Sequence, residues 1–176
     1  MLLRAISSIG IVLLLIACRR VDDVKTGERP ARYEIGHAPT PAEIAAIDID
    51  ANASGVGLPA GQGTAAEGAQ IFAQKCASCH GAKGEGIDKV PRLIGREPAP
   101  GFVFALDAKA PKTIGNYWPY ATTLYDYLHR TMPLSAPGSL TPSETYGLVA
   151  FLLSENGVVP ATTVIDAKSL TAIKMP

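Results

Sequence analysis

The sequence predicts an all-α fold with long loops, and two observations carry that expectation. The same helix-start signal recurs three times: "TPAE" at residues 40–43, "TAAE" at 64–67 and "TPSE" at 141–144. In each, a threonine can cap the first turn while the glutamate three residues on reaches back to close a capping box. Glycine (17) and proline (14) are also plentiful in the 176 residues, which favours short helices and many turns over a large sheet. The length suits one domain with a real core and is marginal for two. No period of 20–50 residues repeats, so a solenoid is excluded.

The first of these helices starts with Thr40 as N-cap and Pro41 at the first helical position. It is short and gives way to the Gly-rich turn region "NASGVGLPAGQG" at 52–63. The second, opened by Thr64 and Glu67, carries Ala69, Ile71, Phe72 and Ala73 in a helical pattern and runs into Cys76. "GAKGEGIDKVPRLIGREPAPG" then reads as a loop. A helix follows over 120–131, with Leu124, Tyr127 and Leu128 as its expected apolar stripe. The helix opened by Thr141 and Glu144 carries Tyr146, Val149, Ala150, Leu152 and Leu153, and Gly157 is a natural stop. Residues 158–176 show no period and read as an extended tail over the surface. Loops this long in a small domain point to function, or to a large ligand that replaces part of the core.

The N-terminus stands apart from the fold. "MLLRAISSIGIVLLLIAC" places Arg4 before an apolar run over 5–17, too short for a bilayer span of ~20 residues and shaped like a secretory signal peptide. Its end, Leu15-Ile16-Ala17-Cys18, resembles a bacterial lipobox, in which the cysteine carries lipid. Either reading exports the protein. Residues 18–39 read as a tether, since their first part is charged and lacks apolar periodicity. The expected organisation is therefore a signal peptide at 1–17, a tether at 18–39, an N-terminal extension at 40–63, a domain at 64–157 and a tail at 158–176. Lysine plus arginine equals aspartate plus glutamate at 16 each, which makes nucleic acid a poor candidate partner.

The chemistry-bearing stretch is "QKCASCHGAKGEG" at 74–86. With Cys18 assigned to lipid, Cys76 and Cys79 are the remaining thiols, and His80 follows directly. Cys-x-x-Cys-His reads as c-type haem attachment. Two thiols at this spacing meet two positions on one edge of a porphyrin, and the next residue offers its imidazole to the iron. Zinc needs about four ligands, and the mature chain adds only His37, His80 and His129 with no second cysteine pair. A redox pair needs a βαβ setting, and a structural disulfide across two residues is strained. The sixth ligand is assigned to Met132, which follows a predicted helix and precedes Pro133. Met175, also followed by proline, and His129 are its rivals, and core filling is the usual job of methionine.

Together, the helix before "CASCH", the Gly-rich loop, "VPRLIG", "MP" and the final aromatic-bearing helix resemble a class I cytochrome c domain over roughly 64–157. The resemblance implies one covalent haem, with the Pro91 carbonyl fixing the His80 ring and the first and last helices crossing near Gly68, Phe72, Tyr146 and Phe151. "IGNYWPYATTLYDYLHRTMP" and "PGSLTPSETYGLVAFLLSENGVVP" further resemble the cytochrome subunit of sulfane and sulfite dehydrogenases. In these a molybdenum subunit oxidises a sulfur compound and passes electrons to haem. This chain has one haem motif, whereas some members have two. Trp118, with Tyr117 and Tyr120, and Arg92 are candidate contacts to haem propionates.

Two function classes emerge. The first is an exported electron carrier, with His80 and Met132 axial and no bond-making by the protein. Its expected partners are a molybdenum dehydrogenase subunit, a second redox protein and, through Cys18, the periplasmic side of a membrane. The alternative is a haem enzyme or gas-binding protein with an open distal site.

Overall fold

The computed structural model describes residues 35–95, 109 and 112–176. The chain divides into two units, Met1–Thr40 and Pro41–Pro176, and every helix and strand among the described residues lies in the second. The signal peptide, Cys18 and most of the tether lie outside the described residues.

Helix α1 (Pro41–Ile47) buries no residue. A short strand β1 (Gln62–Thr64) leads into α2 (Ala65–Lys75), whose start is the expected capping box. The Thr64 hydroxyl accepts from the Glu67 N–H, and the Glu67 carboxylate accepts from the Thr64 N–H at 2.8 Å. After α3 (Ala77–His80) and a glycine-rich loop come α4 (Ile114–Tyr117), α5 (Ala121–Thr131) and α6 (Pro142–Glu155). Helix α6 opens with the Thr141–Glu144 box and has Pro142 in its first turn. It ends where Gly157 takes φ 66°, so that the Val158 N–H returns to the Leu153 carbonyl at 2.9 Å.

The core lies where α2 and α6 cross. Gly68 and Gly147 face each other there, and a Cβ on Gly68 would fall on the Gly147 carbonyl. One turn along, the Phe72 and Phe151 rings are 5.1 Å apart. Helix α5 packs across α6 with the Tyr125 ring 4.5 Å from that of Tyr146. Tyr146, Val149, Leu152 and Leu153 are buried, each large aliphatic side chain contributing about 1.5–3 kcal/mol of transfer free energy.

The apolar stripe of α5 differs from expectation. Its buried face is Ala121, Thr122, Leu124, Tyr125 and Leu128, while Tyr127 is 40% exposed and packs on Trp118 at 5.4 Å. Spacing alone allowed either tyrosine beside Leu124 and Leu128. The ring of Tyr146 on α6 selects Tyr125.

The tail is the larger correction. Residues 164–172 form a strand β2 (Val164–Asp166), antiparallel to β1, and a helix α7 (Ala167–Ala172). Ile165 and Leu170 are fully buried. The Asp166 carboxylate caps α7 by accepting the Ser169 N–H at 2.7 Å. Each piece is too short to show a period, and a three-residue strand exists only because β1 supplies its partner.

The extension preceding β1 is held down as well. The Asp126 carboxylate on α5 accepts the Ala51 N–H at 2.9 Å, and the Thr122 hydroxyl donates to the Ala53 carbonyl at 2.9 Å. The Tyr146 hydroxyl donates to the Pro59 carbonyl at 2.9 Å. Among the described residues no helix is long and apolar enough to cross a membrane.

Candidate functional site

Helix α2 stops at Cys76, where the backbone leaves helical geometry (φ −124°, ψ −35°) while its N–H still bonds the Phe72 carbonyl at 2.9 Å. The chain restarts at once as α3. The Cys79 and His80 N–H groups both donate to the Cys76 carbonyl, at 3.1 and 3.0 Å, so both cysteines and the histidine share one turn. Gly81, at φ 80°, ends that turn.

Both thiols are free, Cys76 half-buried and Cys79 exposed. Burial pushes the Cys76 thiol up to about 11, against the opposing pull of the Lys75 ammonium. Among the described residues no group of three or more His, Cys, Asp and Glu side chains can hold a metal ion. A half-buried sulfur at this position suits a thioether, which carries no charge.

His80 has a buried Nδ1 with no hydrogen-bond partner, a group that costs about 1–3 kcal/mol when nothing satisfies it. The bond expected from this nitrogen to the Pro91 carbonyl is not formed here, and Pro91 itself is exposed. The loop nonetheless wraps back on the histidine. The Gly86 N–H donates to the His80 carbonyl at 2.7 Å, and the Leu93 and Ile94 N–H groups donate to the Gly84 carbonyl at 2.8 and 3.2 Å. Beside Cys79, this loop borders an open cleft lined by Ser78, Cys79, Ile87, Asp88, Lys89 and Val90. Arg92 is half-buried, its guanidinium lying over Gly95.

Met132 is the C-cap of α5, its N–H bonded to the Leu128 carbonyl at 3.1 Å. It is half-buried at the core edge, and the Met132–Pro133 peptide bond is cis. Met175 also packs on the core edge. His129 is half-buried instead against Tyr125, ring centres 5.6 Å apart, with its Nδ1 3.4 Å from the Thr145 hydroxyl. Trp118 packs on the core, whereas Tyr120 is exposed and Tyr117 lies under the Lys112 ammonium at 4.8 Å.

One residue of this region escaped sequence reasoning. Asn156, the C-cap of α6, is buried and joins the loop after His80 to both α4 and α6. In the sequence it is only a polar residue before Gly157, a helix-end signal and nothing more.

Two free thiols on one turn, an imidazole with an orphaned buried nitrogen and a methionine at the core edge fit a covalently attached haem. Comparison with known proteins agrees. The family model described as Cytochrome c matches residues 65–156. Among solved structures, a chain in the crystal structure of the sulfane dehydrogenase SoxCD from Paracoccus pantotrophus superposes with a TM-score of 0.72 and 39% identity. That match covers 82% of this chain and 69% of the other. A chain of the thiosulfate dehydrogenase TsdBA from Marichromatium purpuratum gives a TM-score of 0.37 at 26% identity, covering 51% of this chain and 17% of the other, a likeness too weak to bear on function. No curated protein matches the chain.

Proposed function

The chain belongs to the cytochrome c family, and from that premise we propose that it is an exported electron carrier serving a molybdenum dehydrogenase that oxidises a sulfur compound. One covalent haem C is held by Cys76 and Cys79. The observation that carries the proposal is the 39% identity, over 82% of this chain, to a chain of a sulfane dehydrogenase.

In this reading the haem supplies an iron centre that accepts and releases one electron. The protein's part is to hold, orient and shield. The turn from Cys76 to His80 would hold both thioethers and the imidazole together, because all three residues share one hydrogen-bonded helical turn. The His80 imidazole would hold the iron from that turn. Met132, placed by the end of α5, would supply a thioether to the same iron, and a Met/His pair raises the reduction potential. Pro91 and Arg92 belong to the loop that folds back on His80, and Trp118 would contact the haem from the core side. The domain over 64–157 carries the haem, with the extension before it and the tail after it packed as supports. Lipid at Cys18 and the tether over 18–39 hold the domain at the periplasmic side of a membrane and raise its effective concentration near acceptors there.

The test is stopped-flow reduction of the purified cytochrome by a sulfane or sulfite dehydrogenase molybdenum subunit supplied with its substrate. Substrate-dependent reduction is expected. Failure with every such subunit, alongside fast reduction by a quinol- or alcohol-oxidising complex, discards the sulfur partner. Rapid and complete binding of carbon monoxide by the reduced protein overturns the carrier reading in favour of an open distal site.

A further inference from the structure

The side-chain amide of Asn156 uses all of its hydrogen-bonding capacity on backbone. Its Oδ1 accepts from the Gly95 N–H at 3.0 Å and the Gly115 N–H at 3.2 Å. Its Nδ2 donates to the Leu93 carbonyl at 3.3 Å and the Leu152 carbonyl at 2.7 Å. Since an N–H can only donate and a carbonyl can only accept, these partners fix the orientation of the amide. The residue is 3% exposed, so water does not compete.

The clamped segment lies in the loop that begins after His80. The Leu93 carbonyl also takes the Ile114 N–H at 3.0 Å, and the Gly95 carbonyl takes the Thr113 hydroxyl. From Leu93 the connection continues to the Gly84 carbonyl through the Leu93 and Ile94 N–H groups. From the same loop the Gly86 N–H reaches the His80 carbonyl at 2.7 Å. Asn156 thus ties to the end of α6 a loop that starts at the residue assigned as proximal ligand.

We propose that Asn156 is a positioning residue for the haem: by clamping Leu93 and Gly95 it holds the loop closed over the His80 side and so sets the reduction potential. The proposal rests on the reading of His80 as proximal ligand. It needs no particular electron donor. Opening the loop admits water to that side, which favours the more highly charged oxidised state and lowers the potential.

The test uses the full-length holoprotein and two variants. Asn156→Leu keeps the approximate size, adds no charge and removes both N–H donors and the acceptor. Gly115→Ala leaves Asn156 in place and puts a Cβ 2.8 Å from its Oδ1, which pushes the amide aside. Redox titration is expected to show a lowered midpoint in both variants, with shifted hyperfine-coupled ring-proton resonances of His80 in the oxidised protein. Ile165→Val, a core change in β2 away from the clamp, serves as the control for lost stability and is expected to lower Tm without moving either signal. A lowered Tm with unchanged midpoint and unchanged His80 resonances in either haem-loaded clamp variant overturns the proposal, since Asn156 would then be a stability residue only. So would an Ile165→Val variant that moves the midpoint as far as the clamp variants do. Wild-type resonances that assign no histidine to the iron would sink the proximal-ligand reading beneath it, a result distinct from a failed electron donor.

Discussion

Gly68 on α2 and Gly147 on α6 pack backbone to backbone, with no room for a methyl group on Gly68. The turn carrying Cys76–His80 follows directly from the end of α2, so the crossing also fixes where that turn starts. Gly68→Ala is therefore expected to cost about 1–3 kcal/mol or more by overpacking, and to lower Tm and the yield of haem-loaded protein together. Gly138→Ala is the comparison. Gly138 has nothing within 4 Å of an added Cβ but sits at φ 73°, so only backbone strain of roughly 1–2 kcal/mol applies. Equal losses in the two variants would deny the helix crossing any special role.

The carboxylate side of the fold predicts acid lability. Glu144 is held below the usual carboxylate range by the hydrogen bond from Lys75 at 2.6 Å, and then by the Thr141 N–H. Asp126 is lowered first by Arg130, with the Ala51 N–H also contributing. A lowered native pKa means that the unfolded chain takes up protons first. The stabilisation is complete above the unfolded values near pH 4 and is lost as pH falls through the lower native ones. The urea midpoint should be flat from about pH 7 to 5 and fall below about pH 4. Lys75→Met should reduce that slope and cost only about 0.2–1 kcal/mol at neutral pH, since the pair is partly exposed. An unchanged slope would remove the pair from the explanation.

Replacing Cys76 and Cys79 together by alanine should leave no colour with the protein after acid–acetone extraction, while the wild type keeps it. Much of the fold should go with the haem. A well-folded, colourless double variant, judged by near-ultraviolet circular dichroism, would show that the core closes without the cofactor.

Met132→Ala should remove the weak red absorption band of a methionine–ferric bond and lower the potential, as expected when Met/His ligation is lost. Met175→Ala should leave both intact. If the two variants exchange outcomes, the C-terminal tail supplies the distal ligand and the end of α5 does not.

Cys18→Ala should abolish lipoprotein processing and detergent partitioning without altering the haem spectrum. Mass spectrometry of the mature N-terminus decides this. An unmodified Cys18 in a cleaved, detergent-indifferent protein would reduce the lipobox to coincidence.

What the sequence determined by itself is contiguous chemistry. The capping boxes at Thr64 and Thr141 were legible because each is closed within four residues, and the pairing of Cys76, Cys79 and His80 because one helical turn carries all three. Gly157 was legible as a stop for the same local reason. What only tertiary structure decided joins residues far apart. Asn156 meets Gly95 across 61 positions and Gly115 across 41, and nothing in "SENG" announces those partners. The choice of Tyr125 over Tyr127 depended on where Tyr146 lay. The tail became β2 and α7 because β1, far earlier in the chain, offered an edge on which Ile165 pairs with Gly63, and because Ile165 and Leu170 found space in the core. Local hydrogen bonds and φ angles are set by neighbours in sequence. Burial and long-range pairing are set by which surfaces meet, and that is a property of the folded chain.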